Sequence, residues 1–316
     1  MQDYPTYEII IVDDGSEDGT RDVIEQYMQA DERVRMTFVP KGARVGSNKK
    51  LALTLGAKAA RYDYLLLTDA DCRPESNQWI SEMMRGFAHP EIDIVLGYGA
   101  YFQEKKAINH LIQFDTLFNG LHYIGAAVCG HPYMGVGRNL AYRKEAFFSK
   151  GGFSSMMHIQ AGDDDLLVNK IAHRDNTRAV STRNSITWSM PEQSLHAWLQ
   201  QKRRHLSVSP HYRTSTKMRL FAEPFTRGLF YLLSIVLWTY GAILLGEGNT
   251  VGNWLVGLAT VVFSLRFLTQ LIIINTAAYK MGQQMFGLSI IWYDICLPLV
   301  SLYMLATQPM FQNKKW

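Results

Sequence analysis

Residues 64–71 read Tyr-Leu-Leu-Leu-Thr-Asp-Ala-Asp. An apolar run that ends in a threonine and two carboxylates is the pattern of a buried strand delivering acidic groups to the edge of a sheet. The same grammar stands upstream at 8–16, Glu-Ile-Ile-Ile-Val-Asp-Asp-Gly-Ser. Working outward, strands are expected at Glu8–Val12, Val34–Val39, Tyr64–Thr68 and Ile92–Gly97, with helices at Thr20–Ala30, Ser47–Ala60 and Ser76–Ala88. In the second helix Leu51, Leu55 and Ala59 recur every four residues, and Ser47 is placed to cap it. Short apolar runs alternating with amphipathic stretches predict an α/β domain with a mostly parallel sheet and flanking helices. In such open sheets ligands collect at the carboxyl ends of strands, where these acids sit.

Composition divides the chain. Of 60 charged residues among 316, only six lie from Gly228 onward: Glu247, Arg266, Lys280, Asp294, Lys314 and Lys315. Charge density falls from about a quarter of positions to about one in fifteen, which is membrane-like. Three apolar stretches follow, Leu229–Leu245, Val251–Ala278 and Phe286–Ala306, set against the roughly 20 residues that cross a bilayer core. The expected organisation is a polar domain over 1–210, a juxtamembrane linker over 211–224, a membrane region of about three helices over 225–308 and a tail over 309–316. A purely soluble enzyme, a disordered chain and a disulfide-stapled module are excluded. A net charge of +4 gives no argument for nucleic acid.

Arg213, Lys217, Arg219 and Arg227 precede the first stretch and Lys280 follows the second, whereas the intervening loop offers only Glu247. The positive-inside rule puts the polar domain in the cytosol of a multi-pass inner-membrane protein. Lys314 and Lys315 then end outside, against that rule. Cys72, Cys129 and Cys296 have neither metal nor disulfide spacing, which suits a reducing compartment. The opening MQDYPTYEIIIVDDGS has no signal-peptide pattern. Arg266 and Asp294 fall at similar depth in an antiparallel hairpin, where pairing would share the cost of burial. Separate water-facing or snorkelling positions are the alternative.

Six groups of residues carry chemistry. Asp13 and Asp14 with Gly15 can accept hydrogen bonds from a nucleobase or ribose, or simply form a turn. Asp69 and Asp71, at i and i+2, suit a hard cation such as Mg²⁺ or Mn²⁺ carrying a diphosphate; solvated acids are the bland account. Gly162-Asp163-Asp164-Asp165 opens a helix. The helix dipole explains one or two acids there, and mutual repulsion would raise one pKa towards that of a general base. Gln201, Arg204 and His205 share one face of an expected helix over Ser194–Val208, facing either phosphate or anionic lipid. Lys49 and Lys50 at a helix start can approach a phosphate, and the loop at 135–142 with Asn139 can shape an acceptor pocket.

Together these motifs resemble the family 2 glycosyltransferases of GT-A fold, specifically the membrane-anchored, cellulose-synthase-like branch. The resemblance rests on DDGS at 13–16, DAD at 69–71, GDDD at 162–165 and QKRRH at 201–205, followed by membrane helices. It implies inverting transfer of a sugar from a nucleotide diphosphate donor, of UDP-sugar type, to a lipid-linked or polysaccharide acceptor. It further implies Asp13, Asp14, Lys50, Asp69 and Arg204 on the donor and Asp71 with Asp69 on the metal. Asp164 is implied as base with Asp163 beside it, and Gln201, His205 and Asn139 near the acceptor and diphosphate. Membrane lipid and synthase subunits are the implied partners. Two departures stand out. His205 replaces the family's Trp, and a βα unit of about 30 residues that would precede QDYP is expected to be missing. The rivals are an inactive nucleotide-sugar-binding partner of a synthase and a phosphatase using Asp69 as nucleophile.

Overall fold

The computed structural model describes residues 1–40, 42–43 and 46–311. They divide into two compact units, one of Met1–Phe102 with Asn119–Tyr212, the other of Gln103–Phe118 with Arg213–Trp316. Strands and helices alternate as β1 (Ile9–Asp13), α1 (Thr20–Ala30), β2 (Val34–Phe38), α2 (Asn48–Ala59), β3 (Tyr64–Leu67), β4 (Arg73–Pro74), α3 (Trp79–Arg85), β5 (Ile94–Leu96) and β6 (Gly99–Tyr101). A long helix α4 (Ala107–Val128) precedes β7 (Leu140–Arg143), α5 (Lys144–Ser149), α6 (Asp165–Ile171), β8 (Thr177–Ala179), β9 (Thr187–Ser189) and α7 (Leu195–Leu206). Three helices complete the chain: α8 (Thr214–Gly246), α9 (Val251–Lys280) and α10 (Ser289–Phe311).

The sheets are mixed where a mostly parallel one was expected. β1 and β2 pair in parallel; β3-β7-β5-β8 form a second sheet and β4-β9-β6 a third. β7 runs antiparallel to both β3 and β5, whereas β5–β8 and β6–β9 are parallel. The chain enters β7 only after the 22-residue helix α4 and lays it antiparallel between β3 and β5. Ile94, Val95 and Leu96 are sealed from solvent, and Trp79, Met83, Phe87, Ile92 and Ala141 pack with Val95 as a core. The hydrophobic effect on this β5–β7–α3 layer anchors the strand ends that bear the acids.

One buried cation fixes the polar unit's loops. Lys50, in the first turn of α2, is completely buried. Its Nζ donates to the carbonyl oxygens of Met156, Ile159 and Ala161 at 3.2, 2.6 and 2.6 Å. The Ser47 N–H donates to Met157 O at 2.8 Å and Ser47 Oγ to Gln160 O at 3.1 Å, while Ser47 caps α2 as expected. Gly46 makes the approach possible: its φ is +80°, and a Cβ there would lie 2.1 Å from Met157 O. The start of α2 is thereby bonded to the segment immediately before Gly162-Asp163.

The second unit is built on helices whose apolar faces remain open. α8 and α9 are long and apolar enough to cross a membrane, and only 11% of each apolar window is buried, unlike the core helix of a soluble protein. In α10 the apolar stretch Ser289–Met304 is shorter. α8 and α9 cross at glycines: a Cβ on Gly252 would lie 2.6 Å from Gly241 O, the small-residue contact that lets backbones approach. The expected linker 211–224 is mostly helix, since α8 starts at Thr214 and continues through Pro224.

Asp294 pairs with Arg266, as the hairpin reasoning anticipated, at 2.9 Å. It also receives Tyr231 Oη at 2.5 Å and lies 3.3 Å from Arg227, which itself bonds Glu223. Depths match because the chain folds back before α10: Asn275 Oδ1 accepts from the Phe286 and Gly287 N–H groups at 2.8 and 3.2 Å. Residues 103–118 belong to this unit through contacts missed in the sequence. Gln284 bonds Gln113 and Gln103, and His110 lies 2.7 Å from Tyr293 Oη. Lys314 and Lys315 lie outside the described residues.

The Lys50 contacts yield a direct expectation. Lys50→Met leaves three carbonyl oxygens without their donor and should lower unfolding free energy by about 2–4 kcal/mol. Lys49→Met, at a half-exposed position, should cost under about 1 kcal/mol. Thermal melts of the two purified variants measure this difference; equal melting points would remove the structural role of Lys50.

Candidate active site

Four segments of the polar unit bring charged side chains together. The chain leaves β3 into a turn in which Cys72 N–H donates to Asp69 O at 3.0 Å. This turn makes Asp69 and Asp71 converge, where the sequence reading relied on strand alternation. One ligand atom each from Asp69, Asp71 and Cys72 lie within 4.8 Å of one another. Carboxylate oxygens at such spacing can hold a Mg²⁺ or Mn²⁺ ion.

Lys49 joins this group to the acids before α6. Its Nζ lies 3.1 Å from Asp69 Oδ1 and 3.0 Å from Asp163 Oδ2. Burial pulls its pKa down, but the charges of Asp163, Asp69 and Asp164 outweigh that and raise it, so it remains a cation. Lys50, expected on the donor, is spent on the three carbonyls described above. Successive helical residues diverge by about 100°, so only one of the two can face the strand ends. Lys49 is that residue.

The three acids of the GDDD segment have different surroundings. Asp164 caps α6: Oδ1 accepts from the Asp165 N–H and Oδ2 from the Gly137 N–H, both at 2.7 Å. Asp165 is buried, accepting from Tyr212 Oη at 2.5 Å and from the Leu166 N–H at 2.7 Å. Burial, followed by the neighbouring Asp164, raises its pKa to about 7. Asp163 faces Lys49, and burial and then Asp164 raise its pKa as well. Each oxygen of Asp164 thus accepts from a backbone N–H, whereas Asp163 keeps Oδ2 on Lys49.

Asp13, buried at the end of β1, accepts from the Ser16 N–H at 2.8 Å and from Arg21 at 3.0 Å. The hydrogen bonds from Ser16 and Arg21 hold its pKa down to about 2. Its carboxylate thus organises the DDGS turn, as the turn reading held, while Asp14 projects into solvent.

Asn139 is a further correction, since it is a bolt within the core and lines no open pocket. It is wholly buried, accepting from Trp79 Nε1 at 3.0 Å and donating to Tyr98 O and Ser185 O at 2.9 and 2.6 Å. Its neighbour Arg138, missed in the sequence, donates to Ala100 O, Gly99 O and Ser189 Oγ and sits 4.2 Å over the Tyr101 ring. Tyr101 Oη in turn reaches Gln201 Oε1 at 3.5 Å.

α7 carries Gln201, Arg204 and His205 as expected, with Arg204 exposed. His205 has an open face to solvent within dense surroundings. That burial, then the cations Arg204, Lys202 and Arg138, hold its imidazole down to about 4 against the pull of Asp163.

Comparisons with known proteins bear on the family and the fold. A family model described as Glycosyl transferase family 21 matches residues 1–308. A putative teichuronic acid biosynthesis glycosyltransferase of Bacillus subtilis (strain 168) is 44% identical over 64 residues, 20% of this chain. The match spans only a quarter of that relative's length. A solved mannosyltransferase from Pyrobaculum calidifontis, in complex with GDP-Man and Mn²⁺, superposes with a TM-score of 0.57 at 17% identity. That superposition covers 99% of this chain and 81% of the mannosyltransferase, a likeness of GT-A fold. With motifs, fold and a match over nearly its whole length in accord, the chain belongs to glycosyl transferase family 21.

Proposed function

We propose that this protein is a metal-dependent, inverting glycosyltransferase that moves a sugar from a nucleotide diphosphate donor to an acceptor hydroxyl. The observation that carries the reading is the bridge from Asp69 through Lys49 to Asp163. It brings the metal-type carboxylates and a carboxylate of raised pKa to one lysine. A bound Mg²⁺ or Mn²⁺ supplies charge neutralisation for the departing diphosphate.

Asp69 and Asp71 would hold the ion. Lys49 exchanges its carboxylate contact for a diphosphate oxygen, and exposed Arg204 adds a second cation to the leaving group. Asp163 accepts the proton of the attacking hydroxyl, for which its raised pKa suits it better than an ordinary carboxylate. Asp164 holds the Gly137 loop against α6, and Asp165 with Tyr212 supports the helix from within. Gln201, linked to Tyr101 and Arg138, and neutral His205 line the acceptor side, where stacking on an aromatic is lost. That loss favours single transfers over processive synthesis.

The donor is proposed to be a UDP-sugar, with Asp13 and Asp14 at the nucleoside end. The acceptor is proposed to be lipid-linked or polysaccharide, reached at the cytosolic face of the inner membrane. The open apolar faces of α8 and α9 and the basic residues before α8 support this location. Membrane lipid and synthase subunits are the proposed partners.

Asp163→Asn should reduce transfer by about 10²–10⁴-fold while nucleotide binding stays within a few-fold, read by donor-consumption kinetics and calorimetric titration. Loss of nucleotide binding, or a larger kinetic effect of Asp164→Asn at equal stability, would move the base elsewhere.

A stability measurement tests the buried acid separately. The pKa of Asp165 rises from 3.8 to about 7 on folding, so the folded state holds its proton more tightly. Its contribution to stability is complete below pH 3.8 and declines as pH rises towards about 7. Asp165→Asn should flatten melting temperature against pH across that window; an unaltered slope would contradict the assignment.

A further inference from the structure

The turn after β3 brings a third donor to the metal-type carboxylates. With Cys72 N–H bonded to Asp69 O, the first and last residues of the Asp69-Ala70-Asp71-Cys72 turn face the same side. Cys72 Sγ donates to Asp71 Oδ1 at 3.6 Å and belongs to the set of ligand atoms lying within 4.8 Å of one another. One ion can bridge three atoms so spaced after shifts of a few tenths of an ångström, given ligand distances of about 2.0–2.5 Å. Cys129 and Cys296 belong to no such group among the described residues.

Resting on the reading of Asp69 and Asp71 as the metal carboxylates, we propose that Cys72 is a third protein ligand of the donor-site cation. Mg²⁺ takes oxygen ligands and binds sulfur poorly, whereas Co²⁺, Zn²⁺ and Cd²⁺ accept a thiolate readily. The site therefore disfavours Mg²⁺, tolerates Mn²⁺ and holds the thiophilic ions tightest. On binding, the Cys72 S–H bond breaks, an Sγ–metal bond forms and one proton leaves to solvent. The Sγ–H···Oδ1 contact with Asp71 is lost, which frees that carboxylate for the same ion.

The test uses the full chain in detergent carrying Cys129→Ser and Cys296→Ser, with Cd²⁺ alone as probe. The expected result is a sulfur-to-cadmium charge-transfer band saturating at one equivalent. Cys72→Ser should abolish the band, and Asp71→Asn should weaken Cd²⁺ binding at least about 10-fold. If the background variant does not fold, the difference spectrum between the unmodified chain and Cys72→Ser gives the same reading. Mn²⁺ binding followed by electron paramagnetic resonance separates the two levels of the proposal. Mn²⁺ bound by Asp69 and Asp71 with no cadmium–sulfur band overturns the Cys72 ligand and leaves the metal site standing. A cadmium–sulfur band that persists undiminished in Asp71→Asn makes the thiol a separate binder and also overturns it. Absence of any Mn²⁺ binding overturns the metal reading itself.

Discussion

The polar unit depends on one ammonium group held by three backbone carbonyls. Lys50 is sealed from water and bonded to Met156, Ile159 and Ala161. Burial lowers its pKa, and the carboxylates of Asp163, Asp165 and Asp164 pull it back up. An isolated cation would be too costly there; hydrogen bonds and three nearby carboxylates make it tolerable. The clamp binds the start of α2 to the chain just ahead of the GDDD acids. From that single attachment, Lys49 emerges on the preceding helical position facing Asp69 and Asp163.

The GDDD acids illustrate how neighbours of one residue type acquire different properties. Asp164 caps a helix and holds the Gly137 loop, Asp165 is buried against Tyr212, and Asp163 keeps an oxygen on Lys49. Backbone donors favour the charged form, burial opposes it, and a lysine restores it. The helix dipole accounts for an acid at this position without distinguishing the three. In the apolar unit the same accounting applies to Asp294, whose charge is met by Arg266, Arg227 and the Tyr231 hydroxyl.

Much of this was legible in the sequence wherever local rules decide the outcome. Thr20–Ala30 forms as read, Ser47 caps its helix, and the strands at 34, 64 and 94 begin within two residues of expectation. Depth made the Arg266–Asp294 pair one of two readings, and the structure forms it. What was not legible needed tertiary packing. Adjacent lysines are equivalent in sequence, and only the 156–161 loop decides which is buried. Asp164 accepts from the N–H of Gly137, 27 residues earlier, a contact that no local pattern announces. Asn139 sits in a glycine-rich loop that reads as flexible, yet three hydrogen bonds lock it. The affiliation of 103–118 with the C-terminal helices depends on Gln113, Gln284 and His110 contacts across about 180 positions of sequence that no local pattern announces.

The central claim is a division of labour: one lysine builds the site and its neighbour serves it. A structure of the full chain with Mn²⁺ and a nucleoside diphosphate tests this most directly. The account predicts the ion on Asp69 and Asp71, Lys49 Nζ moved from Asp69 to a diphosphate oxygen, and Lys50 still on its three carbonyls. An ion bound away from the DAD turn, or Lys50 withdrawn from its carbonyls to contact the nucleotide, would contradict it.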